Sequence, residues 1–436
     1  MSAVPGVKVY GTLWAGQCAS LLGSNMTNFA VTLWAWEQTG QATPLSLLFF
    51  FAQVAKIAAA TFSGVLVDRY SRQKLMIVGN AIAGLSSICI LVLLQTHQLA
   101  LWHLYFSCAI NGLFSYIQSL ALSTSVSLLL PEHHYGRAGA MDSLKGAGAF
   151  VFAPAFAGAL YPFIGLLGIL GIDLATFGFA AVSLFVLHIP QPLPISGPET
   201  IRQKLTFGFR YIVKQPGLKA ILIFLFSANF FTSASIAILP AVILARSEND
   251  IGLLATFQSA LGCGGVFGAL LLAIFGVFTP RIHGLFLGVA LPQLGWLILS
   301  VTQAKGLWIV AAFLSACFIP LVGASNQAIW LAKVKPALQG RVFATRYLLA
   351  QASTPLGAVI SGPLADRIFE PAMQNQGILA KSFVGSWLGT GQGMGLTLEL
   401  MCFATCNLVI GLSGYGIRRL RYAEVVLQVS KPSLRE

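Results

Sequence analysis

The sequence predicts an all-α membrane protein, twelve transmembrane helices arranged as two six-helix bundles. Three observations carry that prediction. First, 56% of the 436 residues are hydrophobic, only 9% are Asp, Glu, Lys or Arg, and mean hydropathy is +0.80. Soluble domains carry about 25% charged residues, so the solvent of this chain is lipid. Second, the apolar residues fall in runs long enough to cross a bilayer, about 20 residues per helix. Third, the basic residues crowd onto alternate connections.

The runs place spans near 12–36, 44–66, 75–95, 100–129, 140–161, 164–187, 218–243, 251–276, 283–303, 306–332, 342–365 and 392–417. The first run is too long for the apolar core of a cleavable leader and has no small-residue cleavage site after it, so it reads as a span. Of the 26 Lys and Arg, 21 fall on the side holding both termini and four on the other, with Lys56 inside a span. The positive-inside bias then predicts cytoplasmic termini in a multi-pass membrane protein. Between spans 6 and 7 lies the longest connection. It opens with Pro190, Pro192, Pro194 and Pro198, which interrupt helix. It continues as Thr200–Val213, where apolar and basic residues alternate in a pattern suited to a membrane surface. The expected organisation is a bundle over 1–189, a linker over 190–217, and a second bundle with a cytoplasmic tail over 218–436.

The net charge of +13 follows from topology and gives no reason to expect nucleic-acid binding. All seven cysteines sit inside apolar runs, so no disulfide framework is expected. Cys402 and Cys406 share a helix face and read as small packing residues. Gly389–Gly395 lacks the Lys-Ser/Thr of a phosphate loop. Glu132, His133 and His134 read as a solvated loop. No catalytic or metal-binding constellation is present in the sequence, and no cofactor is expected.

The halves echo one another. Gly136-Arg137 precedes span 5 and Gly340-Arg341 precedes span 11; Ser71-Arg72 precedes span 3 and Pro280-Arg281 precedes span 9. The near-equal offsets suggest duplicated bundles, a known transporter plan. Between spans 2 and 3, Gly64-Val65-Leu66-Val67-Asp68-Arg69-Tyr70-Ser71-Arg72-Gln73-Lys74 packs one acid and three bases at a water boundary.

That stretch resembles the signature loop of the major facilitator superfamily, commonly written G-x-L-A-D-R-x-G-R-K. It agrees at Gly64, Leu66, Asp68, Arg69 and Arg72, and departs at Ser71 and Gln73. Within the superfamily the chain is similar to bacterial exporters that include macrolide-efflux and enterobactin-exporter proteins. The resemblance rests on Trp34-x-x-Glu37-x-Thr39-Gly40, Gly171-Ile172-Asp173-x-x-x-Phe177, Gly357-x4-Gly362-Pro363-Leu364-Ala365-Asp366 and Gly389-Thr390-Gly391-x-Gly393. The motif Pro363–Arg367 mimics the signature loop, but it ends span 11 on the opposite side.

The resemblance implies an alternating-access transporter in which Asp68 approaches the start of span 11 near Arg341. There the helix dipole favours an anion by roughly 0.3–1 kcal/mol. Gly64, Arg69, Arg72 and Arg137 complete the gate candidates, although the bases equally suit positive-inside anchoring. An ionisable group near mid-bilayer costs roughly 2.5–3.5 kcal/mol on insertion scales and is a functional candidate by default. Asp173, Lys56 and Glu399 fit that description; Glu37 and Asp142 lie nearer span ends. Each is a proton-coupling candidate, with a helix–helix tie as the structural alternative. Asn25, Asn28, Trp34, Asn229, Phe230, Asn326 and Gln327 are the substrate-cavity candidates. Gly146, Gly148 and Pro154 are expected to bend span 5.

The expected function is proton-coupled efflux of a small amphipathic molecule such as a drug, siderophore or lipid-like metabolite. The partners are that substrate, protons and the lipid bilayer, and the protein is expected to be a monomer. A nutrient importer or facilitator of the same fold is the alternative. A transport-dead membrane sensor is a different class; it needs an appended domain, whereas about 19 residues follow span 12.

Overall fold

The computed structural model describes residues 5–131, 134–186, 201–335, 338–374 and 376–421, and among these no strand occurs. The linker prolines, His133 and the tail from residue 422 lie outside the described residues. The longer helices are α1 (Pro5–Thr39), α2 (Ala42–Arg69), α3 (Arg72–Gln95), α4 (Leu101–Leu129), α5 (Tyr135–Val186), α6 (Ile201–Lys214), α7 (Pro216–Arg246), α8 (Ile251–Phe275), α9 (Arg281–Val301) and α10 (Lys305–Lys333). They are followed by α11 (Gln339–Gln351), α12 (Ser353–Leu364), α13 (Glu370–Met373), α14 (Phe383–Leu388), α15 (Met394–Gly416) and α16 (Arg418–Arg421). Eight of these are long and apolar enough to cross a membrane. The twelve spans are α1 to α4, the two arms of α5, α7 to α10, α11 with α12, and α15.

Spans 5 and 6 are the two arms of α5. At Gly165 the backbone turns to φ 60°, ψ −168°, a conformation open essentially to glycine alone. Neighbouring contacts show that the chain reverses there. Tyr10 and Trp14 on α1 donate to the carbonyls of Ala138 and Met141, while the α1 end meets Tyr161. Past the turn, Gly16 packs on Ser183 and Gly23 on Asp173 and Thr176, in the opposite direction. Pro154 and Pro162 lie inside the helix, and Gly165 carries the turn.

The chain divides into two compact units, Met1–Gly197 with Ile243–Ser259, and Pro198–Val242 with Ala260–Glu436. In the first, α1 lies between the arms of α5, α2 packs on α4, and α3 joins α4 to α5. Lipid tails give apolar helices little reason to associate, so close backbone approach and hydrogen bonds must hold them. Here they do. Gly112 meets the Ala52 backbone. Ser86 and Ser107 hydroxyls share a hydrogen bond of 2.6 Å. The tip of the α7–α8 hairpin belongs to this unit: Trp36 Nε1 donates to Asn249 Oδ1 at 2.7 Å and Ser259 Oγ to the Val151 carbonyl at 2.8 Å.

In the second unit α9 packs between α10 and α15. Its core gathers Ile221, Phe224, Leu225, Leu285, Phe286 and Ile329. Cross-helix ties run from Asn229 Nδ2 to the Ala350 carbonyl at 2.9 Å and from Ser233 Oγ to the Thr354 carbonyl at 2.6 Å. The hydrogen-bond ladder of the span expected at 342–365 breaks for one residue between α11 and α12, while Ala352 keeps helical φ −59°, ψ −24°. Pro355 has no N–H to donate to Gln351, so the ladder lapses where α11 ends. After α12 the chain continues through a π-helical turn, Ala365–Phe369, into α13.

Candidate functional site

The charged stretch between spans 2 and 3 is mostly helix. Helix α2 runs through Arg69, leaving Tyr70 and Ser71 as the whole connection before α3. Gly64 therefore sits within α2, with open space where its side chain would be. Ser71 caps α3 by accepting from the Lys74 N–H at 3.3 Å, the role for which serine is favoured at helix starts. Gln73 Nε2 donates to the Leu184 carbonyl at 2.7 Å, tying the connection to the end of α5. Ser71 and Gln73, where the stretch departs from the superfamily pattern, thus both have structural work. Arg72 Nη1 donates to the Thr124 carbonyl on α4 at 2.7 Å.

The Asp68 side chain lies outside the described residues. Arg69 and Arg137 are exposed. Arg341, in the first turn of α11, holds its guanidinium 5.4 Å from the centre of the Phe207 ring on α6. At Leu364–Arg367 the chain is likewise helical through its Asp-Arg pair, but it runs on through Phe369 into α13 with no two-residue connection after the pair.

Asp173 is 1% exposed. It accepts from Ser87 Oγ on α3 at 3.0 Å, and the hydroxyls of Ser24 and Thr27 on α1 face it. It therefore joins α1, α3 and the second arm of α5. Glu399 on α15 is fully buried and neither carboxyl oxygen has a hydrogen-bond partner. Asp366 and Glu370 are the charges acting on it. Lys56 is exposed on α2. Glu37 is exposed and accepts from the Tyr161 hydroxyl at 2.8 Å. Asp142, exposed, pairs with Lys145 at 2.6 Å. The sequence candidates for coupling thus separate into two buried acids and three groups open to their surroundings.

Glu370 has a different task. Its Oε1 accepts from the Leu396 N–H at 3.1 Å, at the start of α15. An acid at that position offsets the helix dipole. Burial pushes its carboxyl above the usual range, against the N–H donors of Leu396 and Gly393. The Gly389-Thr390-Gly391-x-Gly393 motif forms the turn before α15, with all three glycines at positive φ.

The cavity candidates have unlike surroundings. Asn25 donates to Leu21 within α1, Asn28 is exposed, and Trp34 is half-buried. Asn229 is a helix tie, and the Phe230 carbonyl abuts Gly357 of α12. Asn326 Oδ1 is buried without a hydrogen-bond partner, whereas Gln327 is exposed.

One group escaped the sequence reading. Arg346 donates to Gln327 Oε1 at 3.0 Å, and its guanidinium lies 4.8 Å from the Phe343 ring centre and 5.3 Å from that of Trp330. Such aromatic contacts stabilise a desolvated cation. The available signal was its position one turn inside span 11, where a base is expensive.

The comparisons agree with this architecture. The pattern defining the Major Facilitator Superfamily matches residues 13–358. Macrolide efflux protein A of Streptococcus pyogenes is 25% identical over 363 residues, covering 82% of this chain and 89% of that protein. Multidrug efflux pump Tap of Mycobacterium bovis is 21% identical over 369 residues, covering 80% and 85%. The crystal structure of a bacterial homolog of the human lysosomal transporter Spinster, inward-facing and unoccupied, superposes with a TM-score of 0.74 at 14% identity and covers 100% of each chain. The match across most of the chain, with the twelve-span helical fold, makes this protein a member of the Major Facilitator Superfamily, a family of membrane transporters.

Proposed function

We propose that this protein exports a small amphipathic molecule across a bacterial inner membrane by alternating access, in exchange for inward-moving protons. In this reading 1–189 and 218–436 are the moving bundles, 190–217 connects them, and both termini are cytoplasmic. The names of the two efflux relatives support export. Coupling is carried by one observation, the two buried acids: Asp173 at 1% exposure and Glu399 at 0%, the latter with neither oxygen hydrogen-bonded. An ionised carboxylate without a partner gives up its hydration for nothing. Binding a proton removes that cost, and releasing it requires a change of surroundings. That dependence of charge on conformation is what links a proton to a transport cycle. Asp68, Arg69 and Arg137 serve the gate on the side of the termini.

Accumulation of a panel of amphipathic antibiotics, a macrolide included, is measured in a deletion strain with and without a protonophore. Export by the wild type is expected to collapse with the protonophore. Glu399→Gln, Asp173→Asn and Asp68→Asn are expected to lose export at normal membrane expression. Protonophore-insensitive equilibration favours the facilitator, and full export by both buried-acid variants removes these acids from the mechanism.

A further inference from the structure

Helix α6 has two unlike halves. Gly208 and Ile212 are buried, with Phe207 and Tyr211 beside them, and this half packs on Leu218 of α7, Trp330 and Val334 at the end of α10, and Val342 of α11. The approach to α11 is close. A β-carbon on Gly208 would stand 2.7 Å from that of Thr345 and 2.8 Å from the Arg341 carbonyl oxygen. Only glycine admits that seam. Arg341 also lies over Phe207. Because α6 meets the start of α7, the end of α10 and the start of α11, it sits at one end of the second unit's spans.

The other half is open and is itself divided. One edge presents Phe209, 51% exposed, and Val213, 44% exposed, one turn apart. The adjoining edge presents Arg210 and Lys214, both exposed, and Lys219 is exposed in the first turn of α7. Apolar side chains beside bases, on a helix at the end of membrane spans, match the boundary between acyl chains and headgroups. A zwitterionic headgroup offers a phosphate balanced by its own cation; the bases call for a headgroup of net negative charge.

We infer that the outward half of α6 is a docking surface for anionic phospholipid, which holds α6 against the first turn of α11. Phe209 and Val213 enter the acyl region while Arg210 and Lys214 meet the phosphates. The helix that carries the gate candidate Arg341 in its first turn is thereby braced by the membrane surface. Transport rate then depends on the charge of the lipid as well as on the substrate.

Hydrogen exchange of the full-length protein tests this in nanodiscs of phosphatidylcholine alone and of phosphatidylcholine with phosphatidylglycerol. Both leaflets then carry anionic lipid, so orientation does not enter. Opening of 206–214 is expected to become rarer with phosphatidylglycerol, by roughly fivefold per base and up to about thirtyfold for two. Arg210→Gln with Lys214→Gln should erase that difference while exchange in α9 is unchanged. Phe209→Ser with Val213→Ser should speed exchange in both lipids. Equal protection of wild-type α6 in the two lipids overturns the inference. So does a full lipid response in the double glutamine variant, or protection by inorganic phosphate added to phosphatidylcholine nanodiscs.

Discussion

The start of α3 and the start of α9 are the same corner built twice. Arg72, first residue of α3, donates to the Thr124 carbonyl five residues before the end of α4; Arg281, first residue of α9, donates to the Ala328 carbonyl five residues before the end of α10. Deeper in the same seams, Gly79 faces Gln118 and Gly288 faces Val322. The chemistry around these shared contacts differs. In the first unit Gln118 Nε2 donates to Asn80 Oδ1 at 2.6 Å and to the Met76 carbonyl at 3.0 Å. In the second the aligned positions are Val322 and Val289. The first corner is preceded by Asp68 and Arg69, the second by Gly276-Val277-Phe278-Thr279, which carries no charge. What recurs in both units is scaffold, and what occurs in one is where a specific role should be sought. By that standard Arg72 is expected to act as a structural tie, and Asp68 and the Gln118–Asn80 pair are the distinctive parts.

The largest test of this contrast removes the shared arginines. Arg72→Ala and Arg281→Ala should each lower stability by about 1.5–3 kcal/mol, the usual cost of a lost hydrogen bond to a charged group. The losses should be similar when thermal unfolding is followed in detergent. If Arg72→Ala instead stops transport at wild-type stability while Arg281→Ala does not, Arg72 belongs to the gate. A smaller effect is expected at the glycines. A β-carbon on Gly288 would lie 2.8 Å from the Val322 backbone nitrogen, which cannot yield, whereas one on Gly79 meets the flexible Gln118 side chain. Gly288→Ala should therefore cost about 1–3 kcal/mol by overpacking, and Gly79→Ala less; equal melting temperatures would break the distinction. The smallest change is expected from Gln118→Val with Asn80→Val together. This copies the second unit's corner and leaves neither partner unsatisfied, so stability should stay within about 1 kcal/mol. Transport measured in the same variant then reports whether the polar pair has work beyond packing.

The sequence revealed the spans, the duplicated corners and the amphipathic character of Thr200–Val213 because each is written in local pattern: a run of apolar residues, a recurring Arg, an alternation of polarity. The break between α11 and α12 was written too, as Pro355, but a hydropathy window averages over one missing N–H. Arg346 was visible only as a base, since Gln327, Trp330 and Phe343 reach it from other turns and another helix. The coupling candidates illustrate the same limit. Composition along a span marks Lys56 and Glu399 alike as costly, yet one is exposed and the other sealed. Which side a helix turns towards its neighbours decides between them, and that is set by packing.

The reversal at Gly165 has a practical side. Spans 5 and 6 are joined by a single non-helical residue, with backbone ladders closed on either side. At the far end of α1 this junction offers a protease no extended substrate and gives an inserted tag nowhere to go without unwinding two membrane helices. The connection over 374–393, with its turns and exposed Ile378 and Phe383, is open by comparison. Reporters of sidedness, cleavage sites and antibody epitopes belong there, and their failure at residue 165 would say nothing about which side of the membrane it occupies.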